Sequence, residues 1–145
     1  MRLACDTSFL FAVYGNDVFS ERASGYLNRV QRAVWISAFN EFELSNALRL
    51  TAFRGLSTTE QAAARWAEFE NDIVAGRLVR VAESVGAMLS VAQHLSAKHT
   101  LGGGHRAFDI LHVAAATVAK ADTFLSFDES QLRLARAVGL AIPRL

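Results

Sequence analysis

The sequence has one cysteine, Cys5, one proline, Pro143, and almost no charge excess, with 15 Lys+Arg against 14 Asp+Glu. A lone cysteine closes no internal disulfide, and Cys5 sits in an apolar run, so the chain fits a reducing compartment and folds without covalent staples. A net charge of +1 neither demands nor excludes a nucleic-acid partner, so local arrangement decides. No uncharged apolar run approaches the ~20 residues of a membrane-spanning helix. The opening run Met1-Arg2-Leu3-Ala4-Cys5 meets Asp6 before it can build the apolar core of a secretory signal. These absences predict a cytoplasmic protein with no membrane partner. No Pro/Ser-rich stretch or composition break divides the 145 residues, which predicts one domain spanning 1–145.

Several chemical motifs are missing too. The four histidines show no HExxH or HxxxH spacing, which argues against zinc and places them at the surface or behind other ligating residues. No GxxxxGK[ST] occurs, and Gly102-Gly103-Gly104 lacks GxGxxG spacing, so nucleotide-binding loops are unsupported. A haloacid-dehalogenase-like phosphatase needs a second Asp two residues after its first; Ser8 stands there. A receiver-like phosphoacceptor needs an acidic pair before its first helix, and none is present.

What is present is a core. Hydrophobic residues make up 52% of the chain and include 10 Phe, and a domain this size buries roughly 70% of the surface its unfolded chain exposes. Short apolar runs at 2–5, 33–36, 78–81 and 123–127 read as strands, with a last one at 141–142 ending at Pro143. Between them, helical spacing appears after Ser8, at 18–31, 38–53, 58–75, 84–97, 106–120 and 129–138. Ser57-Thr58-Thr59-Glu60 resembles a capping box, and Leu101 to Gly104 reads as a flexible connection. Strands without period-two alternation that alternate with helices are parallel and buried on both faces. The expected architecture is therefore an α/β fold: a three-layer α/β/α sandwich around a central, mostly parallel sheet. Such sheets bind ligands outside the carboxyl ends of their strands, near a topological switch point.

Four acids draw attention in that frame. Asp6 and Asp128 each directly follow a strand, at the carboxyl edge, although each also suits a helix N-cap, and Asp128-Glu129-Ser130-Gln131 has capping-box spacing. Glu43 falls on the helical arc of Phe39, Asn46, Ala47 and Leu50, an acid in an apolar stripe with no basic partner one turn away. A buried unpaired carboxylate costs several kcal/mol unless something compensates it. Asp109 lies in Phe108-Asp109-Ile110-Leu111-His112-Val113-Ala114-Ala115-Ala116, where pairing with His112 is the structural alternative. Two unit charges about 5 Å apart repel by roughly 3 kcal/mol at an effective dielectric of about 20, so a cluster of such acids makes sense around a cation. Oxygen ligands point to Mg2+ or Mn2+, and one or two such ions suit phosphodiester hydrolysis.

Asp6-Thr7-Ser8-Phe9-Leu10, Ile36-Ser37-Ala38 leading to Glu43-Leu44-Ser45-Asn46-Ala47-Leu48, Asp109 to Ala116, and Phe124-Leu125-Ser126-Phe127-Asp128 occur in that order. Together they resemble the PIN-domain family, specifically its VapC-type ribonuclease toxins, over essentially the whole chain. The resemblance implies a Mg2+- or Mn2+-dependent endoribonuclease acting on structured RNA such as tRNA or rRNA. It also implies a homodimer held inactive by a small VapB-like antitoxin. By the family pattern Asp6, Glu43, Asp109 and Asp128 ligate the metal, and Ser8 orients Asp6. The Gly102-to-Arg106 stretch is not a general family feature, and Glu129-Ser130-Gln131 stands after Asp128 where a basic residue is common. Lys98, His99, His105 and Arg106 are candidates for phosphate contacts with a looped or single-stranded RNA. Phe39, Phe42, Phe53, Trp66 and Phe69 give residues 38–75 more apolar surface than one sheet face covers, which predicts dimerisation there. The alternative is a PIN-fold RNA- or protein-binding module with weak or lost catalysis; the presence of all four acids argues against it.

Overall fold

The computed structural model describes residues 1–145. Strand β1 (Leu3–Cys5) leads into helices α1 (Thr7–Tyr14) and α2 (Ser20–Val30), then β2 (Val34–Ile36), α3 (Ala38–Phe53), α4 (Thr59–Val74) and β3 (Leu78–Arg80). Helices α5 (Val85–Gly103) and α6 (Ala107–Val118), strand β4 (Thr123–Leu125) and helix α7 (Glu129–Ala137) complete the order. The sheet runs β3-β2-β1-β4 with every pairing parallel. The strand expected at 141–142 reduces to one parallel bridge, Ala141 to Thr123, at the β4 edge.

Apolar residues fill both faces of the central strands β1 and β4 because helices cover both. Leu3 and Cys5 of β1 join one cluster with Phe9, Leu44 and Phe69, whereas Ala4 between them joins another with Val113 and Leu134. β4 divides the same way, Leu125 to the first cluster and Phe124 to the second. This is the three-layer α/β/α sandwich that the strand pattern predicts. No helix is long and apolar enough to cross a membrane.

The strand order sets where ligands can gather. From β1 the chain steps outward through β2 and β3, then returns to lay β4 on the other side of β1. The carboxyl ends of β1 and β4 therefore flank the switch point, the usual crevice of a parallel sheet. The backbone N–H of Asp6 donates to the Leu125 carbonyl at 3.2 Å, tying the two strand ends together.

Three local expectations shift. The box that opens α4 is built by Thr58 and Gln61, one residue later than Ser57 and Glu60. Thr58 carries the extended backbone that an N-cap requires, and its hydroxyl accepts the Gln61 N–H at 3.0 Å. The stretch at 101–104 is no flexible link: α5 continues through Gly103 and stops at Gly104, whose left-handed φ of 64° ends it, with its N–H on the Thr100 carbonyl at 2.8 Å. Each interior glycine costs only about 1 kcal/mol relative to alanine, which the packing of Ala92 and Leu95 against α6 overrides. At Gly103 a Cβ would collide with the His105 ring, so glycine lets that ring fold back on the helix end. Of the five aromatics expected to overflow the core, Phe69 is fully buried, edge-on to Tyr14 and stacked on Trp66, while Phe42 and Phe53 remain exposed.

Candidate active site

All four acids line one cleft of about 410 Å³ at the carboxyl edge of the sheet, together with Ser8 and Arg106. They arrive on four separate segments: Asp6 caps α1 after β1, Glu43 projects from α3, Asp109 sits in the first turn of α6, and Asp128 caps α7 after β4.

Asp6 is the most enclosed, at 2% exposure. One oxygen accepts the Phe9 backbone N–H at 3.0 Å and the Ser8 hydroxyl at 2.7 Å, and the other accepts the Ser126 hydroxyl at 2.6 Å. The N-cap reading of Asp6 is thus correct, and Ser8 does hold the carboxyl. Burial outweighs those hydrogen bonds and pushes the Asp6 pKa up to about 6. A buried acid held poorly as an anion is one that a cation would stabilise.

Glu43 has the partner that its own helix could not supply. His112 of α6, itself buried, places Nε2 3.0 Å from Oε1. Burial alone would raise the Glu43 carboxyl, but hydrogen bonds from His112 and Thr7 and the Arg106 charge together hold it below the usual range. Of the two places expected for the histidines, His112 takes the one behind another acid, and it does not pair with Asp109. Asp109 instead accepts the Gln131 side-chain amide at 3.2 Å and the Arg106 Nε–H at 3.4 Å.

Gln131 explains the half-built box at Asp128. Asp128 accepts the Gln131 backbone N–H at 3.1 Å, as a cap should, but the Gln131 side chain turns away to Asp109. The Asp128 N–H goes to the Ser126 hydroxyl at 2.9 Å. Sequence reasoning passed over Gln131, Ser126, Thr7 and Asn40 as site residues. The one visible signal was the three-residue spacing of Asp128 to Gln131 and of Asn40 to Glu43. Of the basic group singled out for phosphate contacts, Arg106 lines the cleft; Lys98, His99 and His105 do not.

The donor set fits a hard divalent ion. Four carboxylates face one opening with Arg106 as the only Lys or Arg among the lining residues, and the buried Gln131 Oε1 has no hydrogen-bond donor, as suits an atom that meets a hydrated cation. No three of the acids stand close enough to form a ready-made cage.

A parallel α/β sandwich that collects four acids at the carboxyl edge of its switch point defines an acid-cleft α/β protein. The sequence matches the PIN domain family over residues 3–137, and the chain belongs to that family. No curated protein matches it in sequence. The crystal structure of FitAcB from Neisseria gonorrhoeae superposes with a TM-score of 0.65, covering 98% of this chain and 96% of that chain at 20% identity, a likeness of fold.

Proposed function

We propose that this chain is a Mg2+- or Mn2+-dependent endoribonuclease, the toxin of a VapC-type toxin–antitoxin pair. The observation that carries the reading is the convergence of Asp6, Glu43, Asp109 and Asp128 on one cleft around a buried, poorly stabilised carboxylate. In this reading the four acids hold one or two ions. The bound metal supplies an activated water and charge neutralisation at the scissile phosphate. Ser8 and Ser126 keep Asp6 aimed by their hydrogen bonds. Arg106, with its side chain largely exposed beside Asp109, would contact a backbone phosphate.

A shallow acid cleft reaches splayed nucleotides more readily than the interior of an A-form stem. Metal-stripped protein given Mn2+ and a labelled RNA hairpin should cut the loop faster than the stem, and EDTA should stop it. Equal cleavage of stem and loop would overturn the single-strand preference. If Mn2+ neither raises the melting temperature nor supports cleavage, the binding-module reading replaces this one.

The exposed rings of Phe42 and Phe53, with Leu56 nearby in sequence, are the surface assigned here to a homodimer contact, and a small antitoxin is the proposed second partner. Sedimentation of the wild type at micromolar concentration should give a dimer, and Phe53→Glu, at a side chain 88% exposed, should give a folded monomer. A wild-type monomer at that concentration would remove the homodimer from the proposal.

A further inference from the structure

We propose that His112 and Asn40 are positioning residues for Glu43, a clamp in which Asn40 fixes the proton of His112 on Nε2 so that the ring donates to the carboxylate. The inference rests on the reading of Glu43 as a metal-holding acid.

The orientation of the Asn40 amide is set by two backbone groups that cannot exchange roles. Its Oδ1 faces the Ser37 backbone N–H at 2.9 Å, which can only donate. Its Nδ2 faces the Cys5 carbonyl at 3.2 Å, which can only accept. Flipping the amide would break both bonds in a site where Asn40 is 2% exposed. The same Nδ2 lies 3.2 Å from His112 Nδ1, so an N–H points at that ring nitrogen. Nδ1 must therefore be the acceptor and the ring proton must sit on Nε2. A proton on Nδ1, in either the other tautomer or the imidazolium, would set two donors against each other inside the core.

Nε2 then has a proton to give, and it faces Glu43 Oε1 at 3.0 Å and the Thr7 hydroxyl at 3.3 Å. Asn40 and Glu43 are three residues apart on α3, so one helix turn grips both nitrogens of one ring from α6. The consequence is directional. Glu43, a long and half-exposed side chain, is held with one oxygen engaged by the imidazole instead of sampling rotamers in solvent. The Ser37 cap that starts α3 is thereby connected, through Asn40 and His112, to the orientation of an acid in the cleft.

Two measurements test this. In metal-free wild type, nitrogen-15 NMR of the imidazole should show His112 protonated at Nε2 and bare at Nδ1. Mn2+ affinity, read from the electron paramagnetic resonance signal of free Mn2+, should weaken about tenfold or more in His112→Leu. It should recover at least in part in His112→Gln, whose amide keeps a donor for Glu43. A ring protonated at Nδ1 in the wild type overturns the clamp even if neither variant folds. Equal Mn2+ affinity in wild type and His112→Leu overturns its role in positioning. A wild type that binds no Mn2+ overturns the metal reading of the cleft and the purpose assigned to the clamp, while the tautomer measurement still decides whether the clamp exists.

Discussion

Asp109→Asn is expected to lower Mn2+-dependent RNA cleavage by about a hundredfold or more, because stabilisation of the transferring phosphate is largely electrostatic and one metal-holding charge is gone. The metal-free melting temperature should not fall. Asparagine keeps an acceptor for the Gln131 amide, so that 3.2 Å bond survives. What it loses is the contact with Arg106, a 3.4 Å pair whose arginine side chain is 79% exposed, and such pairs contribute little. It also removes one of four carboxylates that share a cleft, which relieves repulsion in the absence of a cation. A purely structural Asp109 behaves in the opposite way. Neutralising it would cost about 1 kcal/mol or more, a drop of roughly 2–4 °C for a domain of this size, with cleavage unchanged. Melting curves without metal and cleavage rates with Mn2+, for both proteins, separate the two. A destabilised variant that still cleaves at the wild-type rate would remove Asp109 from the active site.

The acids were legible in the sequence for different reasons. Asp6 and Asp128 stop apolar strand runs, so the parallel-sheet rule alone carries them to the carboxyl edge, and the structure shows that capping and cleft-lining are not competing roles. Glu43 and Asp109 stood out as charges on apolar helix faces. Their partners were not legible, because side-chain partners across a fold depend on three-dimensional neighbours. Glu43 finds His112 at a separation of 69 residues, and Asp109 finds Gln131 at 22. Gln131 was hidden by a local rule: its spacing from Asp128 fits a capping box, and only the nearness of α6 diverts its side chain. The end of α5 was misplaced because glycine penalties are small against helix packing, whose extent no local pattern displays. The order of the strands, which makes β1 and β4 neighbours and creates the crevice, was likewise absent from any single segment.

Asp6→Asn is expected to stabilise the metal-free protein at neutral pH, which is unusual for a residue that caps a helix. The Asp6 carboxyl titrates at about 6 in the folded chain against an ordinary 3.8, chiefly because burial disfavours its anion. The folded state thus holds this proton more tightly than the unfolded state. Its stabilising contribution is fully present below about pH 4 and is lost as pH rises through about 6, a change on the order of 3 kcal/mol. Asparagine cannot ionise, and its Oδ1 can still accept the Phe9 N–H that starts α1. The variant should therefore melt higher than wild type above pH 6, with the difference shrinking toward zero near pH 4. Comparing the two proteins at each pH matters, because carboxyls held low, such as Glu43, have the opposite slope: their contribution is lost as pH falls. Mn2+ at neutral pH should reverse the ranking, raising the wild-type melting temperature by mass action and leaving the variant nearly unmoved. A variant less stable than wild type at every pH would mean that the Asp6 anion is already well stabilised by Ser8, Ser126 and the α1 amides, and the case for a cation at this carboxylate would fall.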